Sequence, residues 1–459
     1  MFPSSMSIRS FAVCSRLLRP RFEVSKVLLT RRQFSNSIIK VAETGLRTSK
    51  VDEELLGSDT SRYYPVSVGS IIRGNEGDTF EAVRKIGWGV NSTVWIGRDC
   101  SDKACPKYVA LKILNKYATH EHDETSGKKT SELKVLLRTY IGKEPDHRPQ
   151  KPLYREQGLA GPPHPGWFRV SGCLGFFSCD NDPQHFVIVF PLYGENMKEF
   201  MRGEPNKRLK APLAKKVAKD TLLALDYLHS HCAVIHCDVK PENIFVDFDI
   251  GKDVDDLFEI IMRKEPNAGR QGHAASLWLP HHILEKKLRV VLADFSHASW
   301  NDLIERSPVT LGSAALRAPE LIWGFAYGTP IDIWAFGCTI FELLTGKPLF
   351  RFPDSRSPNE FDEEPRYHLN LMQALAGEPY FPAAREGTPM IGKDFIDSDG
   401  WIKSSMGGST LNELVSKDVP DDVEDKDKFE AFLRRCLRLD PRQRASASQL
   451  LNDPWLADD

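Results

Sequence analysis

No apolar run in the chain approaches the ~18 residues that a bilayer-spanning helix needs, which argues against membrane insertion. The longest candidates, such as Phe186-Val187-Ile188-Val189-Phe190, have the length of a buried strand. An excess of one charge is also missing. With 61 basic residues against 63 acidic ones the net charge is −2. The chain as a whole therefore offers no electrostatic footprint for direct nucleic-acid binding. Cysteine is scarce and poorly spaced for pairing: there are 9, an odd number, with no C-x-x-C pair. That argues against a disulfide framework and a structural zinc site, and fits a reducing compartment. No internal repeat is visible, and nothing suggests an oligomerisation element, so a monomer is expected. What is present is ordinary globular composition, 41% hydrophobic and 27% charged. A mostly disordered, collagen-like or coiled-coil chain is thereby excluded. At 459 residues the chain has the length of two or three folding units.

The balance of charge is uneven. Residues 1–40 hold eight basic residues, eight serines and one acid, Glu23. Ile8, Phe11, Val13, Leu17, Leu18, Val27, Leu28 and Leu29 lie between the charges. A basic, serine-rich, acid-poor segment able to form an amphipathic helix is transit-peptide composition. Arg32-Gln33-Phe34-Ser35 also resembles a mitochondrial processing site. A solvated basic tail has the same composition, so both readings stand. A secretory signal is disfavoured, because arginines interrupt any apolar core and Pro20 would break a helix running through it. Residues 1 to about 60 read as an extension and linker outside the folded part.

Beyond it the pattern divides in two. Phe80–Ile86, Ser92–Ile96, Tyr108–Leu114, Val170–Phe177 and His185–Pro191 read as strands, with Gly and Asn turns among them. Residues 127–141 read as helical, with Leu133, Leu136 and Leu137 at helix spacing. A Pro-rich stretch from Pro145 to Pro165 reads as a loop or insertion. From residue 196 onward helices dominate. Residues 213–229 have a 3.6-residue period (Leu213, Val217, Leu222, Leu225, Leu228), and 330–345, 367–376, 427–438 and 446–451 are further candidates. The expected architecture is α+β: a strand-rich small lobe of about 80–192 joined near residues 190–196 to a helix-rich large lobe of about 193–456.

Four motifs carry chemistry. Gly87-Trp88-Gly89-Val90-Asn91-Ser92-Thr93-Val94 follows a strand, and its two glycines would let backbone approach phosphates closely. Serine stands where G-x-G-x-x-G has its third glycine, and a plain Gly-rich hairpin turn fits the segment equally well. A dinucleotide fold is disfavoured, because a strand rather than a helix comes next. Asn91-Ser92-Thr93 also fits a glycosylation sequon, which we read as coincidence in a turn that must touch phosphate. Lys112, at the end of Val109-Ala110-Leu111-Lys112, fits a phosphate partner held by an acid. Glu132 on the 127–141 helix is the candidate, and Glu124 fits by spacing alone.

The sharpest signal is His236-Cys237-Asp238-Val239-Lys240-Pro241-Glu242-Asn243. Asp238 can accept or orient a hydroxyl proton, Lys240 can neutralise charge on a transferred phosphoryl group, and Asn243 can hold a metal. Asp294-Phe295-Ser296 follows the apolar run Val290–Ala293, and an aspartate at a buried strand's end is an economical magnesium ligand. Ala318-Pro319-Glu320, Asp332 and Arg444 read as structural, with Glu320 and Arg444 able to form a buried ion pair.

In this order the motifs resemble the eukaryotic protein kinase family over about residues 80–456. Within it the chain is most similar to fungal SR-protein (serine/arginine-rich protein-specific) kinases. The glycine turn running into Ser92-Thr93-Val94-Trp95 resembles theirs, as does Phe190-Pro191-Leu192-Tyr193-Gly194-Glu195-Asn196. The insert at about 247–288 falls where that family carries a spacer, though a longer one. The resemblance implies a bilobal kinase-like fold, ATP and Mg2+ as cofactors, and transfer to Ser or Thr of protein substrates rich in Arg-Ser. It makes Ile86, Gly87, Gly89, Val94, Ala110 and Lys112 nucleotide contacts, pairs Lys112 with Glu132, makes Asp238 and Lys240 catalytic, and gives metal to Asn243 and Asp294.

Three departures matter. Cys237 replaces an arginine that in many kinases receives an activation-loop phosphate. Ser296 replaces a glycine. Gly312-Ser313-Ala314-Ala315-Leu316-Arg317 resembles kinases in general more than SR-protein kinases. Asp354, Glu360, Asp362, Glu363 and Glu364 fit either steering of a basic substrate or a solvated loop. A pseudokinase or scaffold with the same fold is the competing reading, and a small-molecule phosphotransferase a third. The family implies cytoplasm and nucleus, whereas residues 1–40 imply mitochondria, and the sequence leaves both open.

Overall fold

The computed structural model describes residues 48–50, 63–74, 77–89, 91–100, 108–121, 131–141, 164–247, 273–275, 288–301, 311–351, 364–386, 391 and 393–457. The 1–40 segment, Glu124, the Pro-rich stretch through residue 163, most of the 247–288 insert and Asp354, Glu360, Asp362 and Glu363 lie outside these residues. The chain divides into two compact units. The first comprises 1–140, 171–195 and 246–288, and the second 141–170, 196–245 and 289–459.

The first unit is built on a six-stranded sheet. Its strands are β2 (Ile71–Arg73), β3 (Thr79–Gly89), β4 (Ser92–Asp99), β5 (Tyr108–Leu114), β6 (Gly175–Cys179) and β7 (Asp182–Phe190), in the order β2-β3-β4-β5-β7-β6. Every pairing is antiparallel. Successive side chains of a strand point to opposite faces. Val109, Leu111 and Ile113 of β5 and Val187 and Val189 of β7 therefore share one face, where they pack with Ile72, Phe80, Ala82, Trp95 and Phe177. Ala110 and Lys112 are left for the other face. Among the described residues, two helices belong to this unit, α1 (Lys116–Glu121) and α2 (Glu132–Ile141).

Two findings differ from the sequence reading. The segment Val170–Phe177 is not one strand: β6 begins at Gly175, and Val170 forms an isolated parallel bridge with Leu292 in the second unit. Gly172 breaks the run there, its N–H donating to the Tyr193 hydroxyl at 3.2 Å. The folded part also begins before residue 80. β2 extends the sheet, and Thr48–Lys50 (β1) pairs with His273–Ala275 (β10) of the insert. Strands of three residues carry too little periodicity to be legible.

The second unit is helical. Among the described residues its helices are α3 (Met197–Gly203), α4 (Ala211–Asp226), α5 (Pro319–Trp323), α6 (Pro330–Thr345), α7 (Glu364–Ala376), α8 (Leu411–Asp418), α9 (Lys426–Cys436) and α10 (Ala447–Leu450). The expected helix at 213–229 starts two residues earlier. Pro212 in its first turn lacks an N–H that would have no partner there. Beyond Asp226 the helix widens into a π turn, Tyr227–Cys232, which Ala233 closes at φ 53°. α6 is apolar on nearly every side and almost wholly buried, the signature of a central core helix. Short strands β8 (Val234–Ile235) and β12 (Ser299–Trp300) pair antiparallel, and β9 (Ile244–Val246) pairs with β11 (Val290–Leu292). These strands bracket the His236–Asn243 loop and present Asp294 just past β11.

Candidate active site

On the first unit, register decides which residues meet. Gly87 pairs with Val94, Val94 with Lys112, and Lys112 with Ile188. Register partners put their side chains on the same face, so Val94 and Lys112 share it with Ala110, two residues back along β5. Lys112 Nζ donates to Glu132 Oε1 at 2.8 Å, and Glu132 is buried. Glu132 opens α2, where the helix N-terminus favours a carboxylate. At the turn, Gly89 pairs with Ser92, and a Cβ added at Gly89 would meet nothing within 4 Å. One side of the turn is thus open to close approach. Ile86 lies at an irregularity in β3–β4 pairing, between the Lys85 and Gly87 registers. Ile188, fully buried, completes the cross-strand row. The motif reading passed it over because it lies inside a uniform apolar run.

On the second unit the His236–Asn243 loop is held from behind by α6. Asp332 is 1% exposed and accepts from the backbone N–H of His236 and of Cys237, each at 2.8 Å. Its Oδ2 also lies 2.8 Å from His229 Nε2. Thr339 donates to the Val239 carbonyl at 3.2 Å. His236 is fixed from both ring nitrogens. Its Nδ1 accepts from the Asp238 N–H at 3.2 Å, so Nε2 carries the proton and donates to the Ala293 carbonyl at 3.0 Å. Burial pushes the His236 imidazole below its ordinary range, in keeping with this neutral tautomer. The loop is thereby tied to the Asp294 segment, and the Ala293 N–H in turn donates to the Asn243 carbonyl at 2.9 Å.

At the centre is the Asp238 carboxylate, 4% exposed. Lys240 Nζ is 2.5 Å from its Oδ2, Asn243 Nδ2 donates to the same oxygen at 3.0 Å, and Ser313 donates to Oδ1 at 3.1 Å. Lys240 also reaches Ser313 Oγ at 3.5 Å. Ser313 was not singled out from the sequence, because it lies 75 residues along the chain and no local pattern links it to the loop. His297 is likewise new, with Nδ1 3.9 Å from Asp238 Oδ2 and its side chain half exposed. Asn243 spends both amide hydrogens on Asp238, on the backbone carbonyl at 2.8 Å and on Oδ2. Its side-chain oxygen is the atom left for a cation. The Asp294 carboxylate, just past β11, is a second hard oxygen of the kind magnesium takes.

Backbone strain marks the same place. Cys237 and Asp294 adopt φ of 67° and 65°, which non-glycine residues rarely do. Ser296 is not among the residues at positive φ, so serine there carries no backbone penalty in this conformation. Gly312 does need to be glycine: φ is 67°, and a Cβ would sit 2.6 Å from the Cys237 carbonyl oxygen. Cys237 is buried, and burial raises its thiol well above the ordinary value, so it is a neutral side chain.

Comparison with known proteins gives consistent results. The family model described as "Protein kinase domain" matches residues 172–456. The chain is 28% identical to "Serine/threonine-protein kinase SRPK" of Physarum polycephalum, over 86% of this chain and 89% of that protein. It is 23% identical to "Protein kinase dsk1" of Schizosaccharomyces pombe, over 86% and 83%. It also matches human "Dual specificity tyrosine-phosphorylation-regulated kinase 3", at 28% identity over 60% of this chain and 41% of that one. A crystal structure of a kinase domain superposes with a TM-score of 0.57 at 19% identity, covering 87% of this chain and all of that one.

Proposed function

The chain belongs to the protein kinase domain family, and from that premise we propose that it transfers the γ-phosphate of ATP to serine and threonine hydroxyls of proteins. The observation that carries the reading is the Asp238 carboxylate with Lys240, Asn243 and Ser313 gathered on it. Asp238 orients the attacking hydroxyl and takes its proton. Lys240 neutralises charge on the phosphoryl group in transit, and Ser313 holds the carboxylate's other oxygen. Lys112, held in place by Glu132, contacts the α- and β-phosphates, while Gly87 and Gly89 let backbone come close to them. Ile86, Val94 and Ala110 cover the base. Asn243 and Asp294 would hold magnesium, which supplies charge neutralisation on the phosphate oxygens. Positioning and charge stabilisation provide the rate, because phosphoryl transfer asks little covalent chemistry of the protein.

The resemblance of the motifs to SR-protein kinases supports substrates of Arg-Ser type, and relatives named SRPK and dsk1 are in keeping with it. The test is transfer from Mg-ATP to an Arg-Ser repeat peptide beside a basic peptide whose serine lacks neighbouring arginines. Preference for the first is expected. Equal use of both would remove the substrate class and keep the kinase.

Cys237 supports a further expectation. A neutral thiol cannot make the charge-assisted hydrogen bonds by which a cation reads a loop phosphate. Protein treated with a phosphatase should therefore keep most of its transfer activity. Loss of activity on dephosphorylation, restored by rephosphorylation, would contradict this.

A further inference from the structure

The chain just ahead of β2 does more than lead into the sheet. Tyr64 and Val66 pack against the core cluster of the first unit. The Tyr64 ring stands edge-on to His185 at 5.4 Å. His185 is itself fixed, 1% exposed, with Nδ1 2.9 Å from the Leu114 carbonyl oxygen. Tyr64 is thus a rooted residue, and its neighbour starts from a defined place. From there Tyr63 reaches the tip of the β3–β4 hairpin, and its hydroxyl donates to the Gly89 carbonyl at 3.0 Å across 26 residues of chain.

Gly89 contributes no side-chain contact to the turn. It is the last residue of β3, it has no side chain, and no other group lies near the position its Cβ would occupy. Gly87 and Gly89, two glycines within three residues, make the hairpin end conformationally permissive. A ligand that orders such a turn loses affinity to the ordering. A donor already fixed on the Gly89 carbonyl removes part of that cost.

We propose that Tyr63 is a positioning residue for the glycine turn, pre-organising it for nucleotide phosphates through the Gly89 carbonyl. This rests on the reading that the turn binds nucleotide. The strap formed by 63–66 then belongs to the working part of the unit, although it precedes the first long strand.

The test is Tyr63→Phe in the full chain, which keeps the ring and removes only the hydroxyl. Losing one such hydrogen bond should raise KM for Mg-ATP about three- to ten-fold, with kcat changed by less than about two-fold. A residue that only packs would leave KM where it was. Hydrogen exchange in nucleotide-free protein gives a readout independent of turnover. Amides of residues 87–92 should exchange faster in Tyr63→Phe, and saturating ATP should close the difference. Unchanged KM and unchanged exchange, in a chain that binds ATP, would overturn the proposal and leave the kinase reading intact. Absence of ATP binding by the unaltered chain would overturn both.

Discussion

Replacing Asp238 by alanine should lower phosphate transfer by about 10²–10⁴-fold, the span typical of removing a positioned general base. At ~1.4 kcal/mol per decade that is a loss of about 3–5 kcal/mol of transition-state stabilisation. The effect should fall on turnover. Lys240, Ser313 and Asn243 converge on this carboxylate, while Lys112 and Glu132 lie on the other unit and keep their own pairing. Mg-ATP should therefore still bind the variant. The loop should also keep its place, because Asp332 grips the backbone of His236 and Cys237 and not the Asp238 side chain. The check is kcat beside a nucleotide titration and a melting curve on the same preparation. A variant that transfers within about tenfold of the parent would remove Asp238 from the chemistry.

Arg444→Ala should produce the largest loss of stability. The Arg444 side chain is 0% exposed and Glu320 2% exposed. The two meet as a fork, Nη1 to Oε1 at 2.8 Å and Nη2 to Oε2 at 3.1 Å. The remaining N–H groups go to the Pro330 carbonyl at 2.8 Å and the Arg438 carbonyl at 3.1 and 2.9 Å. All five donors of the guanidinium are thereby used, and it also lies 5.2 Å from the Trp334 ring centroid. Alanine would strand the Glu320 carboxylate in the interior and leave two backbone carbonyls without their donor. Breaking one side of a buried pair costs about 3–5 kcal/mol. At ~2–4 °C per kcal/mol for a domain of this size, Tm should fall by roughly 10 °C. Arg444→Lys should recover only part of this, since an ammonium cannot reproduce the fork. A shift in Tm of about 2 °C or less for the alanine variant would show that the pair contributes little.

Much of this was legible from local pattern. The strand–turn–strand around Gly87–Val94 follows from two glycines between alternating runs. Glu132 is favoured over Glu124 because an acid must sit on the helix to be held in place. α6 starts and stops at the expected residues because Pro330 marks its first turn and Gly346 caps its end at φ 73°. The Glu320–Arg444 pair was suggested by the Ala318-Pro319-Glu320 motif and the Arg444 that ends Asp440-Pro441-Arg442-Gln443-Arg444, and the structure contains it.

What escaped the sequence is mostly tertiary. Ser313 reaches Asp238 only because Gly312 turns the chain against the Cys237 carbonyl. Tyr63 falls between the segment read as linker and the first strand read from the pattern, and nothing local marks it until its hydroxyl is seen on Gly89. Val170 looks like the start of a strand because apolar residues recur after it at Leu174, Phe176 and Phe177, yet it serves the other unit. The π turn at Tyr227–Cys232 breaks no periodicity that a pattern of leucines could register. Cysteine at position 237 signals a missing cation in the sequence, but the strained φ it must adopt appears only in the fold.

The most direct measurement is phosphoamino-acid analysis of an Arg-Ser repeat protein incubated with the chain and Mg-ATP, with ADP release followed in the same tube. Phosphoserine should accumulate in step with ADP, and both should form at least about 10²-fold more slowly with the Asp238→Ala variant. ADP release without phosphorylated protein would point to transfer to water or a small molecule, and bound ATP with no turnover would favour a scaffold that only keeps the fold; either would contradict a protein kinase.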